Sequence, residues 1–572
     1  MQRNLFSVTR HNILLLFLII LLFSCKNTPV AENPYNITKS VEADSAVIVT
    51  AHPLATEIGI QILKEGGNAI DAAIAIQFAL AVCYPGAGNI GGGGFMVYRD
   101  ANGYTTTLDY REKAPGKATQ DMFLDSKKNP IDSLSKFGAL SAGVPGTVDG
   151  MIRAYEKFSK LKDWKKLIQP AIKLAAEGYQ ITQQEADKLN DSQNDFNKNN
   201  RYKTSFQKPD WQQGDLLMQE ELAMTLQRIA ENGRAGFYEG ETADMIISEM
   251  RVHGGIITHD DLINYKSVWR DPIIFYYREH EIISMPPPSS GGIALGQLLK
   301  MVEPYDMRTL TFQSAAAVHL MVEASRRVYA DRSHYLGDPD FIKIPVKTLS
   351  DSNYIENRMA DFNPRQASKS IHITPGMAES EETTHYCIID QEGNAVSMTT
   401  TLNGSYGSYT VVKGAGFLLN NEMDDFSVKP GTPNMYGLIG AEANKIEPGK
   451  RMLSSMTPTI VTKDGKLKMV VGTPGGSTII TSVFQTIVNV IDFDMDINQA
   501  IQSPRFHHQW LPDQIQTEKN AVPPKERKIL ESIGHTFKDR APIGRVEGIL
   551  ITADQKLHGA ADKRGDDDTK GF

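Results

Sequence analysis

The chemistry of this chain begins at Thr383, within Glu381-Glu382-Thr383-Thr384-His385-Tyr386-Cys387-Ile388-Ile389-Asp390. A polar, charged run from Ala378 to Glu382 stops there and an alternating pattern starts: His385, Cys387 and Ile389 on one side, Tyr386, Ile388 and Asp390 on the other. Such alternation predicts a β-strand. Gln391-Glu392-Gly393 turns the chain, and Asn394 to Thr401 returns as the second strand of a hairpin with Thr383 at its open end. A threonine hydroxyl is a poor nucleophile without a base. Cutting the Glu382–Thr383 bond supplies one, because the freed α-amine can take the proton of its own residue's hydroxyl. The amine's pKa of about 7.7–8.0 leaves a useful fraction unprotonated near neutrality. Thr-Thr also opens ordinary strands that do no chemistry.

Other polar residues recur at places where a strand ends or a loop tightens. Arg111 follows the predicted strand Tyr104 to Tyr110, where a guanidinium can hold a carboxylate through two parallel hydrogen bonds or simply form a surface salt bridge. Glu422 and Asp425, in Asn421-Glu422-Met423-Asp424-Asp425, have no partner evident in the sequence and can hold an ammonium group. Ser454 and Ser455 can hold a carboxylate with hydroxyls and main-chain N–H groups, or act as caps. Gly475-Gly476 joins a predicted strand to a predicted helix. Its N–H groups can face an oxyanion, where one donor is worth roughly 2.7–4 kcal/mol, or serve only as a joint. Thr401-Leu402-Asn403 adds two polar side chains at the hairpin's end.

Two motifs are set aside. Gly86-Ala87-Gly88-Asn89-Ile90-Gly91 has the letters of a dinucleotide fingerprint, but a helix precedes it and a strand (Phe95 to Tyr98) follows, the reverse of the required order. Gly91 to Gly94 reads instead as a close backbone approach beside an active site. His507-His508 lies on an extended segment that points adjacent side chains to opposite faces, with no third ligand pattern, so no metal is expected.

Positioning these groups takes a mixed fold. Val47-Ile48-Val49 is a short strand. Pro53 opens a helix ended by Gly66-Gly67, and Asn68 caps the next, Ala69 to Val82, which is apolar almost all round and therefore buried. Helical patterns follow at 148–158, 164–177, 220–232, 243–252, 293–302 and 315–331, and Pro364 to Glu382 is polar and loop-like. After Thr383 come three hairpins: the one it opens, Thr459–Thr462 with Leu467–Val471, and Gly548–Thr552 with Leu557–Ala560. Between the last two, 477–491 reads as a buried helix. Strand-rich material here and helix-rich material before predict sheets covered by helices.

The chain has 572 residues, 22% charged and 8% aromatic, the composition of a large globular protein. A net charge of −8 argues against nucleic acid as a partner. Cys25, Cys83 and Cys387 are too few for a disulfide framework and fit no zinc spacing. Arg3 and Arg10 precede the apolar run Ile13 to Phe23, too short to span a bilayer and typical of a secretory signal. Leu22-Phe23-Ser24-Cys25 resembles a bacterial lipobox, in which the cysteine is lipidated; an ordinary secretory signal with a chance cysteine is the alternative. Residues 1–25 are therefore expected to be a lipoprotein signal ending at the lipidated Cys25. Residues 26–45 are expected to be a tether, and the product exported to a bacterial periplasm or cell surface.

Taken together, these motifs resemble γ-glutamyltransferases of the N-terminal nucleophile hydrolase class. The resemblance runs from about Val47 to the C-terminus. It rests on Thr383-Thr384-His385-Tyr386, on Asn420 to Ser427, on Leu453 to Thr459, on Gly472 to Ser477, on Ser503 to Gln509, and on Gly91–Gly94 and Arg111. It implies an α+β fold, a four-layer αββα sandwich formed jointly by a large subunit (46–382) and a small catalytic one (383–572) released by self-cleavage between Glu382 and Thr383. It implies that Thr383 attacks the γ-carbonyl of glutathione or a related γ-glutamyl compound, with water, an amino acid or a dipeptide as acceptor. By position, Arg111, Ser454 and Ser455 would hold the substrate's α-carboxylate, and Asn403, Glu422 and Asp425 its α-ammonium. Gly475 and Gly476 would form the oxyanion hole, Thr401 would support Thr383, and Tyr436 would lie in a lid, 430–441. No cofactor or metal is implied.

Two positions depart from the pattern. Glu382 and Glu422 stand where some relatives carry Gln, which leaves the balance of hydrolysis and transfer open. Two alternatives remain. A glutaryl-type β-lactam acylase would use the same fold, but its substrate lacks the α-ammonium. An uncleaved γ-glutamyl peptide binding protein would show one full-length chain.

Overall fold

The structure, a computed structural model, describes residues 33–373, 382–429 and 441–572. Cys25 with its signal, Tyr436 with the expected lid, and 374–381 ahead of the expected cut lie outside the described residues.

Strands β1 (Ser40–Ala43), β2 (Val47–Thr50), β3 (Gly93–Arg99) and β4 (Thr105–Asp109) come first. The two-residue pair β5 (Tyr179–Gln180) and β6 (Leu216–Leu217) lies among helices. Next are β7 (Val268–Arg270), β8 (Ile273–Tyr277) and β9 (His280–Ser284), then β10 (Glu382–Ile389), β11 (Ala395–Asn403), β12 (Thr459–Lys463) and β13 (Lys466–Gly472). A small sheet of β14 (Phe506–His507), β15 (Ile515–Thr517) and β16 (Phe537–Asp539) precedes β17 (Glu547–Ile551), β18 (Leu557–Ala561) and β19 (Asp568–Gly571).

Among the described residues two seven-stranded sheets dominate, with orders β19-β2-β10-β11-β3-β4-β7 and β1-β18-β17-β13-β12-β9-β8. Their inner faces meet through Val47, Val49, Val97, Cys387 and Ile389 from the first and Ile283, Ile460, Val470 and Ile549 from the second. The outer face of the first sheet, with Tyr386, Ile388, Val396 and Met398, packs on the helices Pro53–Lys64, Ala69–Cys83 and Trp164–Glu177. The outer face of the second, with Ile282, Val461 and Val471, packs on Gly291–Val302, Ala315–Tyr335 and Thr478–Ile491. This is the expected αββα sandwich. Both faces of β10 are buried, so its alternation separates two cores rather than core from solvent.

The helix Ala69–Cys83 is buried at every position and starts on a capping box between Asn68 and Asp71. Three departures concern strands. Ser40–Ala43, expected within the tether, is an edge strand paired with β18. The hairpin β8–β9 lies in a region expected to be mostly helical, and β19 closes the edge of the first sheet beside β2. Each sheet therefore mixes strands from both sides of the Glu382–Thr383 bond.

Candidate active site

Thr383 sits at a break in the hydrogen-bonded ladder. Glu382 faces Asn403 and Thr384 faces Thr400, so two steps along β10 answer three along β11, and Thr383 falls at the irregularity. Such bulges re-aim a side chain and recur beside active sites. Thr383 is buried, and among the described residues its hydroxyl makes no hydrogen bond; it lines a cavity of about 330 Å³ together with Gly475. Glu382 and Thr383 are consecutive in one strand, so this is the uncut chain. Across the bulge, the Thr401 hydroxyl accepts the Asn403 N–H at 2.8 Å, and Asn403 adopts a left-handed φ of 74° that asparagine tolerates.

Gly475 and Gly476 have φ values of 129° and 53°, both in the region that favours glycine. A Cβ on Gly475 would lie 2.6 Å from the Thr478 hydroxyl. The Gly475 carbonyl is taken by Thr478, through N–H at 3.0 Å and hydroxyl at 2.7 Å. Thus the pair turns its carbonyls into the helix Thr478–Ile491, and among the described residues neither glycine N–H donates a hydrogen bond. Two uncommitted amides at a helix start, beside Thr383, are the donors an oxyanion hole needs.

Arg111 leaves the end of β4 and is buried among carboxylates. Its Nη1 lies 2.6 Å from Glu422 and 3.7 Å from Glu112, and its Nη2 bonds Asp425. In the uncut chain Arg111, expected at the carboxylate end of a ligand, is paired with Glu422 and Asp425, expected at the ammonium end. A buried guanidinium without a partner would be costly, and these are the nearest anions. The count is unequal, three carboxylates to one guanidinium. Burial therefore pushes the Glu112 carboxyl up to about 8, against the pull of Arg111 and with the neighbouring acids adding to the rise. Burial likewise raises Glu422 well above the usual carboxylate range, against the pull of Arg111 and with Glu112 and Asp425 adding to the rise.

The surrounding loops are fastened by asparagines. Asn420 accepts Gly143 N–H at 2.8 Å and donates to the carbonyls of Gly91 and Gly143. Asn444 donates to the Asp425 carbonyl at 2.7 Å and accepts from Leu453 N–H, binding the acidic turn to the segment carrying Ser454 and Ser455. Ser455 accepts from Arg332 at 3.0 Å, and Arg332 also donates to Ser290. The Ser454 hydroxyl accepts Met456 N–H at 3.2 Å. The glycine run makes the close approach expected of it: a Cβ on Gly93 would lie 2.5 Å from the Tyr110 carbonyl and 2.6 Å from Glu112. Sequence reasoning missed Glu112, Asn444 and Arg332. Glu112 had a signal, adjacency to Arg111; the other two meet their partners only in the folded chain.

Strand order places these groups. Arg111 is level with Thr383 but three strands away, through β11, β3 and β4, or about 14 Å at the usual strand spacing. His507 bonds Thr481 and Gln509, while His508 bonds Trp510 N–H and Asp513, on separate partners as the alternation predicts. One buried group, His319, Glu323 and His535, brings three potential ligand atoms within 4.8 Å of one another. Glu323 there is already paired with Arg326 and Arg327, and the two histidines bond each other at 2.8 Å.

A threonine near the head of a central strand in an αββα sandwich, with two free glycine amides beside it, defines the N-terminal nucleophile hydrolase class. The chain belongs to the gamma-glutamyltranspeptidase family, whose sequence model matches residues 55–572. It is 48% identical over 518 residues to a glutathione hydrolase proenzyme of Pseudomonas sp. (strain A14), covering 90% of each chain. It is 46% identical over 539 residues to the glutathione hydrolase proenzyme of Escherichia coli (strain K12), covering 93% of each. A cephalosporin acylase from Bacillus halodurans has the same fold, with a TM-score of 0.84 at 26% identity, covering 96% of this chain and 99% of that one.

Proposed function

We propose that this protein cleaves itself before Thr383 and then transfers the γ-glutamyl group of glutathione and related compounds to water or to amino acid and peptide amines. The observation that carries this reading is the surplus of buried acid around Arg111. Three carboxylates and one guanidinium suit a ligand that brings an ammonium and a carboxylate on one carbon, the head of a glutamyl group. The ligand's ammonium would join Asn403, Glu422 and Asp425. Its carboxylate would compete for Arg111 and reach Ser454 and Ser455.

The steps follow from the groups in place. After scission the Thr383 amine takes the hydroxyl proton as Oγ attacks the γ-carbonyl carbon. The oxyanion is held by the N–H groups of Gly475 and Gly476, with Thr401 supporting Thr383. Collapse expels the leaving amine, which receives the proton, and leaves a γ-glutamyl ester. Water or an acceptor amine then attacks the ester and frees Thr383. The acylase reading is weaker, because a glutaryl group offers the acidic cluster no cation.

The cut would give subunits of 46–382 and 383–572 that remain together, with Tyr436 in a lid over the glutamyl pocket. Export, a lipid on Cys25 and a periplasmic or surface location complete the proposal; the apolar run Ile13 to Phe23 and the lipobox-like Leu22-Phe23-Ser24-Cys25 support them. The test is N-terminal sequencing of the smaller fragment together with release of p-nitroaniline from a γ-glutamyl anilide. A fragment starting at Thr383 and anilide turnover are expected, and Thr383→Ala should stay whole and inactive. Normal processing of that variant would exclude Thr383 as nucleophile. Cys25→Ser should move the protein from the membrane fraction to the soluble one.

A further inference from the structure

We propose that Lys39 is a positioning residue for the oxyanion hole: from the far side of the proposed cut it clamps the loop 562–567, and through Arg545 that loop holds the Gly475 amide beside Thr383. The inference rests on the γ-glutamyl transfer reading and names a support of its acyl-transfer step that lies outside the site itself.

Lys39 directly precedes β1, in the stretch expected to be a tether. An ammonium has three donors, and here all three are used, on the carbonyls of Asp562 at 2.9 Å, Gly565 at 2.8 Å and Asp567 at 2.6 Å. The main chain around it is stapled to the same region. Ala561 N–H donates to the Lys39 carbonyl and Thr569 N–H to that of Thr38, each at 3.0 Å, while Thr38 N–H donates to the Asp568 carboxylate at 2.7 Å. Three carbonyls converging on one point need a donor among them. An apolar side chain of similar length would leave them facing one another unpaired.

The clamped loop bears on the segment that backs the oxyanion glycines. Its Asp567 carboxylate holds Arg545 at 2.8 Å, and its Asp562 carboxylate accepts the Val546 N–H at 2.9 Å. Gly565 packs against the Arg545 guanidinium, where a Cβ would lie 2.2 Å from Nε. Arg545 in turn donates its main-chain N–H to the Thr473 hydroxyl at 2.9 Å, two residues before Gly475. Gly544 lies 3.2 Å from the place a Cβ on Gly475 would occupy. Thr383, Gly475, Gly544 and Arg545 line one cavity. Among the described residues the Gly475 N–H donates no hydrogen bond, so its direction is set by what packs behind it. A contiguous path of hydrogen bonds and packed groups therefore joins the Lys39 ammonium to that amide. Lys39 precedes the Glu382–Thr383 bond and every other residue on the path follows it, so after scission the clamp would act between the two pieces.

The test measures kcat and KM for a γ-glutamyl anilide on self-processed, full-length protein, per mole of cut chain and well below Tm. Lys39→Met should lower kcat about tenfold, a fraction of the 10²–10³ that loss of an oxyanion donor costs. KM should stay within about twofold, because the glutamyl head is held around Arg111, three strands away. Lys39→Arg, which still donates to carbonyls, should restore most of kcat. A purely structural role would lower Tm and leave kcat per cut molecule at the wild-type value. That result, a change confined to KM, or failure of Lys39→Arg to rescue would overturn the proposal. Where Lys39→Met does not mature, Lys39→Gln, which keeps a donor, takes its place; if neither matures, Lys39 serves folding alone and the positioning role is refuted. If wild type turns over no anilide, it is the γ-glutamyl reading that fails, and the role of Lys39 with it.

Discussion

At the scale of residues, the acidic cluster makes a pH prediction whose sign can be worked out. Burial raises Glu112 to about 8 and Glu422 above its ordinary range. A carboxyl whose folded pKa is raised favours the fold below its unfolded pKa, and that contribution is lost as pH rises through the folded value. The processed protein should therefore lose thermal stability as pH rises from about 4.5 to about 8. L-glutamate brings an ammonium that favours the ionised carboxylates, so the rise in Tm that it gives should grow over the same interval. A rise in Tm independent of pH would mean that the ammonium does not meet these acids. The placement of Thr383, Gly475 and Gly476 was legible in the sequence because its signals are local: a strand start after a charged run, a glycine pair before a helix. The pairing of Arg111 with Glu422 and Asp425 was not, since it joins residues more than 300 positions apart and is settled by which charges the fold buries together.

At the scale of elements, the sheets meet so closely that one side chain takes the place of another. Gly472, at the end of β13, faces the imidazole of His385 on β10, and a Cβ there would overlap the ring. Burial holds His385 neutral, with its pKa lowered to about 3, and its Nδ1 bonds Thr399 at 2.8 Å. Gly472→Ala should cost about 1–3 kcal/mol as an overpacked core, seen as a lower Tm and slower appearance of the cut subunits on a gel. Gly475→Ala should strain the joint, where φ is 129°, and lower kcat by about 10²–10³ through the misplaced amide; equal kcat would remove it from the oxyanion hole. Helix boundaries such as Trp164–Glu177 and Glu220–Asn232 coincided with the expected ones because their apolar faces repeat cleanly. The hairpin β8–β9 escaped notice because Ile274 and Tyr276, on its solvent side, are apolar yet 47% and 58% exposed, which erases the alternation. β1 and β19 escaped for the opposite reason: they are polar edge strands with little to bury.

At the scale of the molecule, the Glu382–Thr383 bond is one link in a chain otherwise woven through both sheets. β10 and β11 lie between β2 and β3 in one sheet, and β12 pairs with β9 in the other. Cleavage removes no strand pairing beyond the cut itself, so the two subunits should elute as one species and unfold in a single calorimetric transition. Separation by dilution alone would contradict the shared sheets.

The last strand, β19, lies against β2, whose other neighbour is β10. The catalytic sheet therefore has one of its rims supplied by residues about 185 positions beyond Thr383 in the chain. A chain that lacks β19 leaves the β2 edge of the sheet that carries Thr383 uncovered. Premature termination upstream of Asp568 would then yield an inert, unbroken polypeptide rather than a partly active one.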